Sequence, residues 1–381
     1  MPTYNRKSVS FVRGEGVYLY DKDNKKYLDA LCGLAVTSLG HSDKEISKVL
    51  STQSSELIHT SNAFHIGPQE ELAKRLCQLT GMTNAFFCNS GAEAVEAAIK
   101  ISRKFGHSKK ISAPKIIVME NSFHGRTMAA LSATGSKKAH DGFTPLVEGF
   151  IHVPFNNIDA VKNVLSEEKD VVAILLEPIQ GEGGIILPDD KYLYQLREIT
   201  HNHNILLMID EVQSGFCRTG KWFAHQHENI IPDVITVAKA LGNGVPIGAC
   251  LASAKASDIL IPGSHGSTFG GNFLSCSVGL KVLDIMRDNQ ICKNAREVGE
   301  YFHEQLIKRL SSKKSVHEIR CKGLMIGIEL VDECTKLSEV FLNHGLVVNI
   351  TKEKIIRMLP PLIINKNHVD DIIDIIEKVL D

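Results

Sequence analysis

The chain has 381 residues, 43% of them hydrophobic and 23% charged, which is the balance of a soluble globular enzyme of roughly two or three domains. A net charge of -1 gives no electrostatic reason to bind nucleic acid or an anionic membrane. No apolar run approaches the ~18–20 residues that span a bilayer, and the segment Met1–Lys7 lacks the apolar core of a signal peptide. Nine cysteines without metal or disulfide spacing, Cys77 and Cys88 among them, read as buried thiols of a cytoplasmic protein.

Residues 11–31 alternate around Asp21-Lys22-Asp23-Asn24 and predict a hairpin. Pro68 opens a helix through Leu79, with Leu72, Leu76 and Leu79 on one face. Strands are then expected at 84–88, 115–119, 150–153, 171–176, 205–209, 233–237 and 247–252. Helices are expected at 91–105, 157–168, 190–202, 272–287 and 292–311. Short apolar strands between helices predict an α/β domain with a mainly parallel, seven-stranded sheet covered on both faces. From about residue 313 the pattern turns to short strands (324–330, 346–350, 355–358) and a last helix at 367–380, a smaller α+β domain. The expected division is 46–270 for the large domain and 271–381 for the small one. Residues 1–45 are expected to pack with the small domain, because chain termini tend to lie close together.

Several strand ends carry chemistry. Asn89-Ser90-Gly91-Ala92-Glu93-Ala94 opens a helix after Phe86-Phe87-Cys88. Free N–H groups there can hold a phosphate, or Ser90 and Glu93 can simply form a capping box; the two are compatible. Ser122-Phe123-His124-Gly125-Arg126-Thr127 places an aromatic and an arginine at another strand end, suited to covering a planar ring and clamping a carboxylate, or to core packing and a surface ion pair. Leu176-Glu177-Pro178-Ile179-Gln180-Gly181-Glu182 and Gly263–Asn272 read as site-lining loops or as solvated linkers. Arg357 in Ile355-Ile356-Arg357-Met358 is a charge in an apolar strand and needs a partner or a ligand.

Two residues give this pattern its sharpest meaning. Asp210 ends the apolar run Ile205–Ile209, and Lys239 ends Val234-Ile235-Thr236-Val237-Ala238 before a glycine-rich turn. An amine and a carboxylate at the ends of buried strands suit pyridoxal phosphate (PLP): the lysine forms an imine with its aldehyde, and the carboxylate pairs with the ring nitrogen. Their separation, 239 − 210 = 29 residues, leaves room for one crossover and the next strand. A nicotinamide dehydrogenase is disfavoured, since no Gly-x-Gly-x-x-Gly opens the first βα unit.

Taken in order, from Gly14-Glu15-Gly16 to Pro360-Pro361, these residues resemble the class III aminotransferases, PLP-dependent transferases of fold type I. Within the class, Gly263-Ser264-His265-Gly266-Ser267-Thr268-Phe269-Gly270-Gly271-Asn272 is most like the branch that acts on N2-acetylornithine and 2-oxoglutarate in arginine biosynthesis. The resemblance implies that Lys239 bonds the cofactor, Asp210 and Glu211 belong to its site, and Gln213 reaches its phenolic oxygen. Phe123 and Val212 would sandwich the ring, while Ser90, Gly91 and Ala92 hold the phosphate. Thr268 would reach the phosphate of a neighbouring subunit, so a homodimer would share its sites. Arg126 would take the α-carboxylate of acetylornithine, and Ser267 would also contact that substrate; Arg357 would take the α-carboxylate of glutamate, with Glu182 screening it in the other half-reaction. Ornithine aminotransferases carry a tyrosine where this chain has Leu34, which cannot hydrogen-bond a free α-amine and suits an acylated one. Asn243 and Phe273 stand where glycine and proline are usual. Other class III activities, on ornithine, succinylornithine, succinyl-diaminopimelate or γ-aminobutyrate, fit the same residues.

Overall fold

The computed structural model describes residues 1–380; Asp381, the last residue of the expected small domain, lies outside them. A seven-stranded sheet organises the chain, in the order Asn84–Cys88, Gly248–Ala252, Val234–Val237, Leu206–Asp210, Val171–Leu176, Lys115–Met119, Phe150–Val153. The five strands from Val234–Val237 to Phe150–Val153 run parallel, and Gly248–Ala252 runs against both its neighbours. All six residues of Val171–Leu176 are buried, as expected for a strand covered on both faces. Alternate residues feed different cores. Ile116, Val118 and Leu175 pack with helix Gly91–Ser108 on one face, while Ile117, Met119 and Ile174 pack with Leu193 and Leu196 of helix Tyr192–Asn202 on the other.

The remaining strands form two four-stranded sheets. Phe11–Glu15, Tyr18–Asp21 and Lys26–Asp29 make an antiparallel meander extended by Leu346–Val347, parallel to Lys26–Asp29. Val316–Lys322, Met325–Leu330, Ile355–Met358 and Asn349–Thr351 make the second, which is antiparallel. The single strand expected at 346–350 is thus two short strands serving different sheets. Several elements had no forecast, among them helix Lys44–Glu56, which buries only Ile46, the short helices Met128–Ala133 and Leu337–Asn343, and strand Val316–Lys322, where only Arg320 is buried. Weak burial leaves weak periodicity in the sequence.

Two features depart from expectation. Cys217 and Cys292 form a disulfide, with Cα atoms 4.4 Å apart across 75 residues of sequence; the other seven cysteines are free. The fold, not the spacing, brings this pair together. Residues 32–35 form a left-handed turn, with φ of 41° at Cys32, 66° at Gly33, 68° at Leu34 and 65° at Ala35. Only Gly33 is at ease there; each of the others costs about 1–2 kcal/mol. No helix among the described residues is long and apolar enough to cross a membrane.

Candidate active site

The parallel strands end on one edge, and the segments leaving them surround a cavity of about 450 Å³. Asp210 is the last residue of its strand, opposite Thr236 in register. Its Oδ1 accepts hydrogen bonds from Thr236 Oγ1 at 3.0 Å and the Val212 N–H at 3.1 Å; its Oδ2 lies 2.9 Å from His124 Nδ1. A carboxylate held on three sides and 5% exposed is fixed in direction. Lys239 follows the next strand in a short 3-10 turn with φ 47°. Its amine has no hydrogen bond or ion pair among the described residues. Burial holds it below the ordinary lysine value; Glu182 opposes that most, and Arg357 adds to the depression.

At one end of the cavity stand Ser90, Gly91 and Ala92, opening the 18-residue helix Gly91–Ser108. Ser90 Oγ caps the helix by accepting the Glu93 N–H at 3.2 Å, while Glu93 accepts the N–H of Asn89 at 2.7 Å rather than that of Ser90, so the side-chain cap forms without the reciprocal bond of a capping box. A Cβ on Gly91 would sit 2.8 Å from Val212 Cγ1, so only glycine leaves that wall open. Phe123, Val212 and Gln213 line the middle. Arg126 is exposed at the mouth, 5.5 Å from the Phe123 ring centre, with no anionic partner among the described residues.

Arg357, 1% exposed in the strand Ile355–Met358, donates from Nη1 to Glu182 Oε1 at 2.7 Å and from Nε to Asn349 Oδ1 at 2.8 Å. The partner that its sequence context demanded is therefore Glu182. Ser267 reaches the cradle indirectly: its Oγ accepts from Asn89 Nδ2 at 3.3 Å and from the Gly270 N–H at 3.0 Å. Thr268 is exposed and lines no part of this cavity. Glu211 departs from the expected set. The pleat turns it away from Asp210, fully buried, to accept from Ser214 Oγ and from the His225 N–H. Burial alone would raise its pKa, yet His225 beside it holds the carboxyl below its usual range.

Two residues of the site had been given no role. His124 contacts Asp210 from a fully buried position. Glu177 ends Val171–Leu176 as Asp210 ends its own strand, an acid closing an apolar run, and that signal was available. Its Oε1 accepts the Phe123 N–H at 2.9 Å and its Oε2 the Gly181 N–H at 3.1 Å. Burial pushes its pKa up to about 7, with His124 the main opposing influence.

The cavity fits pyridoxal phosphate. Gln213 Oε1 is buried without a partner, in the wall where a ring hydroxyl would meet the amide. The helix start offers the phosphate its N–H groups, Asp210 offers the ring nitrogen an anion, and Lys239 offers a free amine.

The aminotransferase class-III family model matches residues 2–380. The chain is 50% identical over 373 residues to the acetylornithine aminotransferase of Nitrosomonas europaea, covering 98% of this chain and 95% of that one. It is 47% identical to its Aquifex aeolicus counterpart, covering 100% and 99%. Among solved structures, the ornithine aminotransferase of Toxoplasma gondii superposes with a TM-score of 0.96 at 31% identity, covering 100% of this chain and 92% of that one. The acetylornithine aminotransferase of Elizabethkingia anophelis superposes with 0.89 at 37% identity, covering 100% and 95%.

Proposed function

The chain belongs to the class III aminotransferases, PLP-dependent enzymes, and from that premise we propose that it transfers the δ-amino group of N2-acetylornithine to 2-oxoglutarate. The products are N-acetylglutamate 5-semialdehyde and glutamate, a step of arginine biosynthesis. Relatives at 42–50% identity carry the acetylornithine aminotransferase name. The observation that carries the reading is the contrast between two arginines: Arg126 stands free at the mouth, and Arg357 is masked by Glu182. One substrate reacts at a δ-amine and presents a distant carboxylate; the other reacts at an α-amine with a carboxylate alongside. A free clamp serves the first and a clamp that must be unmasked serves the second.

Bound in the cavity, pyridoxal phosphate supplies an amine-accepting aldehyde and a ring that takes up electrons. The chain supplies the rest. Ser90, Gly91 and Ala92 hold the phosphate, and Phe123 and Val212 confine the ring. Asp210, oriented by Thr236, Val212 and His124, keeps the ring nitrogen protonated. Lys239 is the base that moves the proton of the reacting carbon. A free lysine titrates near ~10.4, so the depressed pKa in this pocket raises the fraction of neutral amine at pH 7. Arg126, with Ser267 nearby, orients acetylornithine; Arg357 orients glutamate once the substrate carboxylate has displaced Glu182.

A shared-site homodimer belongs to this reading: Thr268 and the large apolar side chains of Phe269, Phe64 and Ile58 are all exposed. So do a cytoplasmic setting, against which the Cys217–Cys292 disulfide counts, and the division into a large cofactor-binding domain, 46–270, and a small domain, 271–381, with which 1–45 packs. Steady-state rates with N2-acetylornithine, N2-succinylornithine, ornithine and γ-aminobutyrate, each with 2-oxoglutarate, test the assignment. Highest efficiency with acetylornithine is expected; highest efficiency with ornithine or γ-aminobutyrate would overturn it.

A further inference from the structure

Arg218 is a guanidinium buried to 1% exposure with no carboxylate beside it. Burial draws its pKa down, and its Nε has no partner. A buried cation without a counter-charge is costly, and the four acceptors around the fork offset that cost. What the fork achieves is geometric. Nη1 donates to Leu324 O at 3.2 Å and Pro360 O at 2.5 Å; Nη2 donates to Ser38 Oγ at 3.0 Å and Cys32 Sγ at 3.5 Å. Cys32 opens the left-handed turn, and Ser38 lies three residues beyond its end. Pro360 follows the strand that carries Arg357 by two residues.

The turn itself is strained and held from several sides. Asp29 Oδ1 accepts the N–H groups of Leu31 at 2.9 Å and Cys32 at 2.8 Å, and Leu359 N–H donates to Ala30 O at 2.8 Å. Ala35 packs inward in a small core with Ile179 and Ile185, which flank Glu182, and with Met325 and Leu359. On the outer side Leu34 is 37% exposed and Val36 lines the cavity. A left-handed run of three non-glycine residues persists only where its surroundings over-determine it, and such strain collects at functional sites.

We propose that Arg218 is a positioning residue for substrate selection: it holds the left-handed turn Cys32–Ala35 in register with the Arg357 strand, fixing Val36, which follows the turn, as an apolar wall for the acyl group of the substrate. This rests on the acetylornithine reading. No other residue can do this job from the same place, because a lysine has one donor centre where the fork spans four acceptors on three segments.

The test compares Arg218→Lys and the milder Ser38→Ala, which removes one arm of the fork together with the 3.4 Å bond from Ser38 Oγ to Ala35 O, with the wild-type holoenzyme. Efficiency with acetylornithine relative to ornithine is measured, together with KM, kcat, cofactor affinity by absorbance titration and Tm. Both variants are expected to lose about tenfold in that ratio, the scale of one apolar contact in a pocket, through KM for acetylornithine with kcat and cofactor affinity retained. A ratio that stays at the wild-type value in Ser38→Ala, or equal losses on both substrates, overturns the proposal even if Arg218→Lys lowers Tm. A wild-type enzyme that does not prefer acetylornithine to ornithine overturns the functional reading first and this one with it.

Discussion

The masking of Arg357 can be measured by replacing Glu182 with glutamine, which keeps the length and one acceptor oxygen and removes the charge. The pair lies at 2.7 Å, with the Arg357 side chain 1% and the Glu182 side chain 36% exposed. At an effective dielectric constant of about 20, opposite charges ~4 Å apart attract by about 4 kcal/mol. The one-third exposure of Glu182 screens the pair, so about 2 kcal/mol of masking is a reasonable scale. A substrate carboxylate must overcome that to reach Arg357, whereas acetylornithine, reacting at its δ-amine, need not. Glu182→Gln should therefore raise the efficiency ratio of glutamate to acetylornithine about 30-fold. Single-turnover absorbance changes of the bound cofactor, read separately with each amino donor, give that ratio without the second half-reaction. An unchanged ratio would refute the masking argument.

Glu177 gives a pH signature. Its folded pKa of about 7 lies above its ordinary 4.5, so folding favours the neutral carboxyl. That contribution is full below pH 4.5 and is lost as pH rises through 7, removing about 2.5 kcal/mol between pH 5 and 8.5. In the apoenzyme, urea unfolding of wild type and Glu177→Gln should show their stability difference shifting by that amount toward the variant at high pH; a pH-independent difference would exclude it. The Cys217–Cys292 disulfide closes a 75-residue loop, worth about 4 kcal/mol in the chain-entropy account. Reduction by dithiothreitol should lower the unfolding free energy accordingly, and the Cys292→Ala variant should be indifferent to the reductant.

Much of the site was legible because the chemistry sits at the ends of apolar strands. Asp210 and Lys239 stand out as single charges closing buried runs, and the sheet order then sets their strands side by side. The Glu182–Arg357 contact spans 175 residues, and nothing local announces it; its expectation rested on resemblance. Glu177 carried the same signal as Asp210 but was overshadowed by the glycine-rich loop after it. The role of Asn243 emerges only in three dimensions. At φ 44°, its Oδ1 accepts the Leu39 N–H at 2.8 Å and its Nδ2 donates to Gly40 O at 3.3 Å, tying the Lys239 loop to the N-terminal segment. The left-handed turn was invisible for a related reason: Cys32, Leu34 and Ala35 have no intrinsic preference for that conformation, and distant anchors impose it.

The central claim is that Lys239 moves the proton in an amine transfer from acetylornithine. The most direct test mixes cofactor-loaded enzyme with N2-acetylornithine alone and quantifies released N-acetylglutamate 5-semialdehyde by mass spectrometry, for wild type and for Lys239→Ala. Wild type should release a single equivalent per site and stop until 2-oxoglutarate is added; Lys239→Ala should bind the cofactor and release none. Product at the wild-type rate from Lys239→Ala, or none from wild type, would contradict it.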